Sequence, residues 1–198
     1  MGKLVVIENL SLDGVMQAPA SPDEDTRGGF RHGGWAMPYS DEVAMAEMGE
    51  GMAKGGPLLF GRQTYENFFG FWPKQNDDNP FTPVLNAATK YVVSTTLTEP
   101  LPWENSRLIG GDTDAVVRAV QTVKDREPGD IGVLGSGELM QTLIKHDLVD
   151  QYVLSIHPLV LGEGKRLFRE GAPLTGFRLA KSVPTTTGVI IATYDRGR

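Results

Sequence analysis

Hydrophobic positions in this chain alternate between two periods. Val5, Val6 and Ile7 are consecutive within Lys3–Leu10, the signature of a strand buried on both faces. Similar short runs predict strands at Leu58–Phe60, Lys90–Thr96, Arg107–Ile109 and Ile131–Leu134. Between them the spacing turns helical. Val43, Met45, Ala46 and Met48 predict a helix from Asp41 to about Ala53, with Ser40 or Asp41 as N-cap. The Met45/Met48/Met52 spacing is that of a stripe facing the core. Val116, Val117, Val120 and Val123 mark a helix capped by Asp112 and ending near Glu127. Leu139, Met140, Leu143 and Ile144 mark another, begun at Gly135-Ser136-Gly137, and a short helix ending near Phe69 follows Gly61.

Two stretches break the pattern. Residues 17–38 are rich in glycine and proline, and Trp35, Met37 and Tyr39 suit a lid that docks on the body. Residues 70–87 read as irregular. Beyond about residue 150, strands at Gln151–Ile156, Phe177–Val183 and Gly188–Tyr194 follow one another without helices between. This order predicts an α/β fold of three layers. A central mixed, mostly parallel sheet carries helices on both faces and an antiparallel C-terminal hairpin, in a single domain over residues 1–198.

Composition narrows the chemistry. With 40% apolar and 22% charged residues the chain reads as globular, and its net charge of -6 argues against nucleic acid or anionic membrane as partner. No apolar run reaches the roughly 18 residues of a spanning helix, and Met1–Ile7 reads as a strand rather than a signal peptide. There is no cysteine, and His32, His146 and His157 lack metal-ligand spacing, so a metal-free cytoplasmic protein is expected.

Candidate chemistry gathers where strands end. In an open α/β sheet ligands bind at the C-terminal strand ends. Such ends here carry Ser11 to Gly14, Gly61 to Thr64, Ser94 to Thr96 and Gly135 to Gly137, with Gly110-Gly111 as a further candidate. Gly61-Arg62-Gln63-Thr64-Tyr65-Glu66 follows a strand and opens a helix, so free backbone N–H groups, a guanidinium and a hydroxyl converge as a phosphate requires. Gly132 to Gly137 lacks the glycine spacing of the dinucleotide fingerprint, and no phosphate-loop lysine motif occurs. His157 suits a core or interface histidine, and Lys165 and Arg166 a solvated face.

Taken in order, Ser-Leu-Asp-Gly at 11–14, Gly-Arg-x-Thr-Tyr-Glu at 61–66, Lys-Tyr-Val-Val-Ser at 90–94 and Leu-Gly-Ser-Gly-Glu-Leu at 134–139 resemble the dihydrofolate reductase-like superfamily. The C-terminal run His157-Pro158-Leu159-Val160-Leu161-Gly162-Glu163-Gly164 is similar to the riboflavin biosynthesis reductase (RibD C-terminal domain) branch and its stand-alone relatives. The resemblance implies an NADPH-dependent reductase, with NADH as the other candidate. It places Arg62 and Thr64 at cofactor phosphates, and Thr95 with Thr96 near the adenosine 2′-phosphate, with Gly61 and Ser94 at the same strand ends as further cofactor-binding candidates. It places Gly135, Ser136, Gly137, Glu138 and Leu139 along the diphosphate, and Asn9 and Leu10 beside the nicotinamide, with Gly110 at its strand end a further cofactor-binding candidate. Trp35 and Tyr39 would wall the pocket of a small-molecule substrate; Asp13 is a candidate for touching the nicotinamide amide or the substrate, with ordinary Asp-Gly turn chemistry as its other reading, and Asp41 is a candidate acid.

The chain departs from the reductases at two points. Met45 stands near the position of their pterin-binding acid, and Glu138 where an arginine often follows the glycines. A non-catalytic nucleotide-binding module of the same fold and a true dihydrofolate reductase are the alternative readings. The resemblance also implies a homodimer, with Leu159-Val160-Leu161 as a candidate interface.

Overall fold

The computed structural model describes residues 2–75 and 79–197. Its strands are β1 (Leu4–Ser11), β2 (Leu58–Gly61), β3 (Lys90–Val93), β4 (Ser106–Ile109), β5 (Ile131–Leu134), β6 (Gln151–His157), β7 (Phe177–Pro184) and β8 (Ile190–Arg196). They form one sheet in the order β4-β3-β2-β5-β1-β6-β8-β7. The pairings from β4 to β6 are parallel, and β8 pairs antiparallel with both β6 and β7. Helices are α1 (Glu42–Ala53), α2 (Arg62–Phe71), α3 (Phe81–Ala87), α4 (Thr113–Arg126) and α5 (Gly137–Lys145).

Alternation along the strands assigns the layers. Leu4, Val6 and Leu10 of β1 pack with Val116 and Val120 of α4 and Leu139, Met140 and Leu143 of α5. On the other face Leu58 and Phe60 of β2 pack with Tyr65 of α2, Phe81 and Leu85 of α3, and Trp103. The sheet therefore lies between two helical layers. A third cluster, Val15, Ala18, Phe30 and Trp35, seals the lid onto the C-terminal strand ends, with Leu159 and Leu161 packed against it. Lys90 is fully buried on β3, where its ammonium donates to the carbonyls of Asn86, Ala88 and Glu104 and sits 4.3 Å from the Trp103 ring centre.

Two expectations need correction. The stretch 70–87 is not irregular throughout, because α3 occupies Phe81–Ala87, with residues 76–78 outside the described part. Pro80 and Pro83 fall at and just inside its start, where the missing N–H groups cost nothing, and Phe81 and Leu85, four apart, bury one face. The methionine stripe of α1 is not core either. Met45 is 46% and Met48 51% exposed, and no residue of α1 is fully buried. The helix is pinned at both ends instead. Asp41 caps it and accepts bonds from Thr186 and Thr187 in the β7–β8 turn, and Met52 reaches the second cluster. Its middle is tied to β7 through Glu47, which pairs with Lys181.

Candidate active site

The sheet opens beside β1. Pairing of β1 with β5 stops at Ile7↔Leu134, whereas pairing with β6 continues to Ser11↔His157. Past that split lies a cleft of about 1400 Å³. It runs from the starts of α2 and α5 to the gap beneath α1.

At one end two strand ends are locked together. The Gly61 N–H donates to Ser136 Oγ at 2.7 Å. A side chain at Gly135, whose φ is +58°, would approach Thr64 Oγ1 to 3.0 Å, so only glycine lets the two turns touch. Ser136 itself adopts φ +75° as the N-cap of α5. These contacts bring the N-termini of α2 and α5 to the same side of the cleft. Arg62 reaches across, donating to Thr96 Oγ1 at 2.6 Å and to Glu66 at 2.8 Å, while Ser94 Oγ accepts from the Thr96 and Leu97 N–H groups. A guanidinium, hydroxyls and two helix N-termini form an anion-binding corner that fits a phosphorylated dinucleotide.

The lid closes the adjoining wall around one buried amide. Gln17 is 5% exposed; its Nε2 donates to the carbonyls of Asp25 and Arg27, its Oε1 accepts from the Lys165 N–H, and its own carbonyl accepts from the Trp35 indole. Asp25 binds Arg27 and Lys165, which outweigh burial and hold its carboxyl down at about 2. Burial, and then the neighbouring charge of Glu24, push the Glu8 carboxyl well above the usual carboxylate range. Burial raises Glu24 as well.

Beneath α1 the cleft widens into an apolar groove. Met45 and Met48 face Ile7, Val153 and Ile191, with Asn9, Gln151, Ser155 and Thr193 as polar points among them. His157 lines its end, held by Ser155 O at 3.0 Å and flanked edge-on by Trp35 and Tyr39, with burial lowering its pKa.

The structure gathers most of the residues picked from sequence. Asn9, Gly61, Arg62, Thr64, Ser94, Thr95, Thr96, Gly135, Ser136, Gly137, Glu138, Leu139 and Tyr39 all line the cleft. Glu138 does so with its carboxylate turned onto Arg169 at 2.7 Å, so its charge is compensated. Five others lie off the lining. Leu10 belongs to the α4–α5 core, and Gly111 rather than Gly110 reaches the cleft. Trp35 is buried beneath the lid. Asp13 is consumed by Ser11, the Leu161 and Gly162 N–H groups and Arg166; the Ser11 hydroxyl first, and then the two N–H groups, hold its carboxyl below the ordinary range. Asp41, held at about 2 first by Thr186 and then by Ala44, is a helix cap rather than an acid poised over a substrate.

Sequence reasoning missed Glu8, Gln17 and Glu24. Only a charged residue inside an apolar strand pattern could have pointed to Glu8. Glu47, which no motif marks, also lines the cleft and is fixed by Lys181 of β7 at 2.6 Å. Among the described residues no cluster suited to a metal ion occurs, and no helix is long and apolar enough to cross a membrane.

Comparison with known proteins supplies a family and a fold. Residues 3–191 match the family model of the RibD C-terminal domain. YyaP of Bacillus subtilis (strain 168) is 29% identical over 140 residues, which make up 69% of this chain and 72% of that protein. A Shewanella sp. PV-4 protein assigned to riboflavin biosynthesis superposes with a TM-score of 0.70 at 25% identity, covering 100% of both chains. Dihydrofolate reductase from Enterococcus faecalis, solved with NADP(H), gives a TM-score of 0.62 at 16% identity, over 100% of this chain and 98% of the other. RibD of Acinetobacter baumannii gives 0.62 at 14%, with 100% of this chain spanning 58% of that one. The last two carry the fold alone.

Proposed function

Because the chain belongs to the RibD C-terminal domain family, we propose that it is an NADPH-dependent reductase acting on a C=O or C=N bond of a small heterocyclic or sugar-like metabolite. One observation carries this reading: an anion-binding corner built from Arg62, Thr96 and the Gly135–Gly137 turn opens directly into the apolar groove beneath α1. Arg62, Thr95 and Thr96 would hold the 2′-phosphate, and the starts of α2 and α5 the diphosphate. When bound, the dinucleotide supplies a hydride from its reduced nicotinamide. The chain's own work is then to orient both partners and exclude water, with Gln17 holding the lid down and Met45 and Met48 covering one face of the substrate. The polar points Asn9, Gln151 and Ser155 would select the substrate's hydrogen-bonding edge.

Dihydrofolate fits less well. The α1 helix presents Met45 and Met48 to the groove, and its one lining carboxylate, Glu47, is already paired with Lys181. We further propose a cytoplasmic homodimer, because Val160 stands 68% exposed while its neighbours Leu159 and Leu161 turn inward.

Calorimetric titration with NADPH and NADH tests the reading. The parent protein should bind NADPH, and Arg62→Ala should lose about 10–100-fold of that affinity while changing NADH binding little. Turnover would follow as substrate-dependent oxidation of the bound cofactor. Binding of neither dinucleotide would sink the proposal.

A further inference from the structure

Glu8 is the unexplained group of the cleft. It sits on β1 one residue past the last pairing with β5, so its carboxyl projects at the split, near the Gly135 N–H. It is 5% exposed, lines the cleft, and its Oε1 has no hydrogen-bond partner among the described residues. It shares a strand face with Leu4, Val6 and Leu10, where an aliphatic side chain would complete the core. A buried carboxyl with a free oxygen destabilises the empty protein, so its presence there calls for a partner brought by a ligand.

Resting on the dinucleotide reading above, we infer that Glu8 is the receptor for the nicotinamide carboxamide, and so the residue that selects and orients the redox-active ring. The chemistry of the pair is specific. A neutral carboxyl donates through O–H and accepts through C=O, and a primary amide offers the complementary acceptor and donor side by side, giving two hydrogen bonds without burying a charge. Burial and the nearby Glu24 of the lid favour that neutral form. Position agrees as well. The Gly135 turn that would carry the diphosphate adjoins Glu8, and the next part of a dinucleotide beyond its diphosphate is the nicotinamide riboside. Glu8 and the next residue, Asn9, alternate to the two faces of β1 and both line the cleft where pairing with β5 has ended, so a ring seated in that split would meet Glu8 on one side and Asn9 on the other.

The test compares binding of NADP+ with that of its analogue bearing 3-acetylpyridine, which keeps the carbonyl and loses the amide N–H donors. The parent should prefer the amide by about tenfold or more. Glu8→Leu should bind both dinucleotides with the same, weaker affinity, and Glu8→Gln should keep part of the preference. Without ligand, Glu8→Leu should melt above the parent, since it removes the orphaned carboxyl. If Glu8→Leu still discriminates as the parent does, the inference is overturned while the dinucleotide site stands. It is overturned equally if Glu8→Gln abolishes turnover but leaves amide-over-acetyl preference intact in both variants, which would make Glu8 a proton donor. If the parent binds neither dinucleotide, both readings fall together.

Discussion

Two glycines, two residues apart at the start of α5, should respond oppositely to the same added methyl group. Gly135 has φ +58°, and a Cβ there would lie 3.0 Å from Thr64 Oγ1 and 3.2 Å from its Cγ2. The left-handed backbone costs an L-residue about 1–2 kcal/mol, and forcing the turn away from Thr64 adds about 1–2 kcal/mol of overpacking. Gly135→Ala should therefore lose about 2–4 kcal/mol, which for a chain of this size is a drop of about 5–15 °C in melting temperature. Gly137 lies at the first position of the helix, without a positive φ, and its added methyl would meet nothing closer than Met16 Sδ at 3.9 Å. Gly137→Ala should gain up to about 1 kcal/mol from reduced unfolded-state freedom. Thermal unfolding of the unliganded variants, followed by circular dichroism, reads both signs. Because Gly135 packs on Thr64, its substitution should also weaken NADPH binding. If the two variants melt together, or if Gly135→Ala melts with the parent, the close packing of the two turns is wrong.

Other substitutions probe the remaining parts. Lys124 of α4 is buried against Asp150 at 2.6 Å and the Leu148 carbonyl, so Lys124→Met should cost about 3 kcal/mol by removing the carboxylate's cation, the low end because Asp150 keeps 30% exposure and the Leu4 N–H; urea unfolding measures it. Asp41→Ala should lower the melting temperature and raise the substrate KM by loosening α1. The pH–rate profile should stay in place, whereas a catalytic acid would shift or remove its acid limb. Asp25 has a lowered folded pKa, so its contribution is present above its ordinary value of 3.8 and is lost as pH falls towards about 2. Limited proteolysis by an acid protease should accordingly begin to cut the lid within that window, and Asp25→Asn should expose the same sites to cleavage at neutral pH.

The fold was largely legible because its signals are local and agree with one another. Consecutive apolar residues mark β1, β2 and β3, Asp112 caps α4 as its sequence implies, and glycines at the ends of β2 and β5 mark where the cleft begins. What escaped depended on distant partners. The α3 helix hides behind two prolines that are harmless only at its start, and is revealed by the burial of Phe81 and Leu85 against β2 and β3. The α1 stripe has helical spacing but no core to enter, because its helix is hung from the β7–β8 turn. Asp13 and Asp41 looked chemical by residue type, yet each carboxylate is taken up by backbone donors from a segment about 145 residues away, a closure that local pattern does not encode. Gln17 became the centre of the lid for the same reason.

The way α1 is hung bears on how such a protein can change. Its ends are fixed by Asp41 and Met52, while its central methionines touch the groove and little else. Substitutions at Met45 and Met48 would thus reshape the groove with almost no penalty in folding, whereas the corner at Gly61, Thr64, Gly135 and Ser136 tolerates hardly any. On the function proposed above, a lineage built on this scaffold could drift from one metabolite to another through a few positions on one helix, with its redox partner held constant.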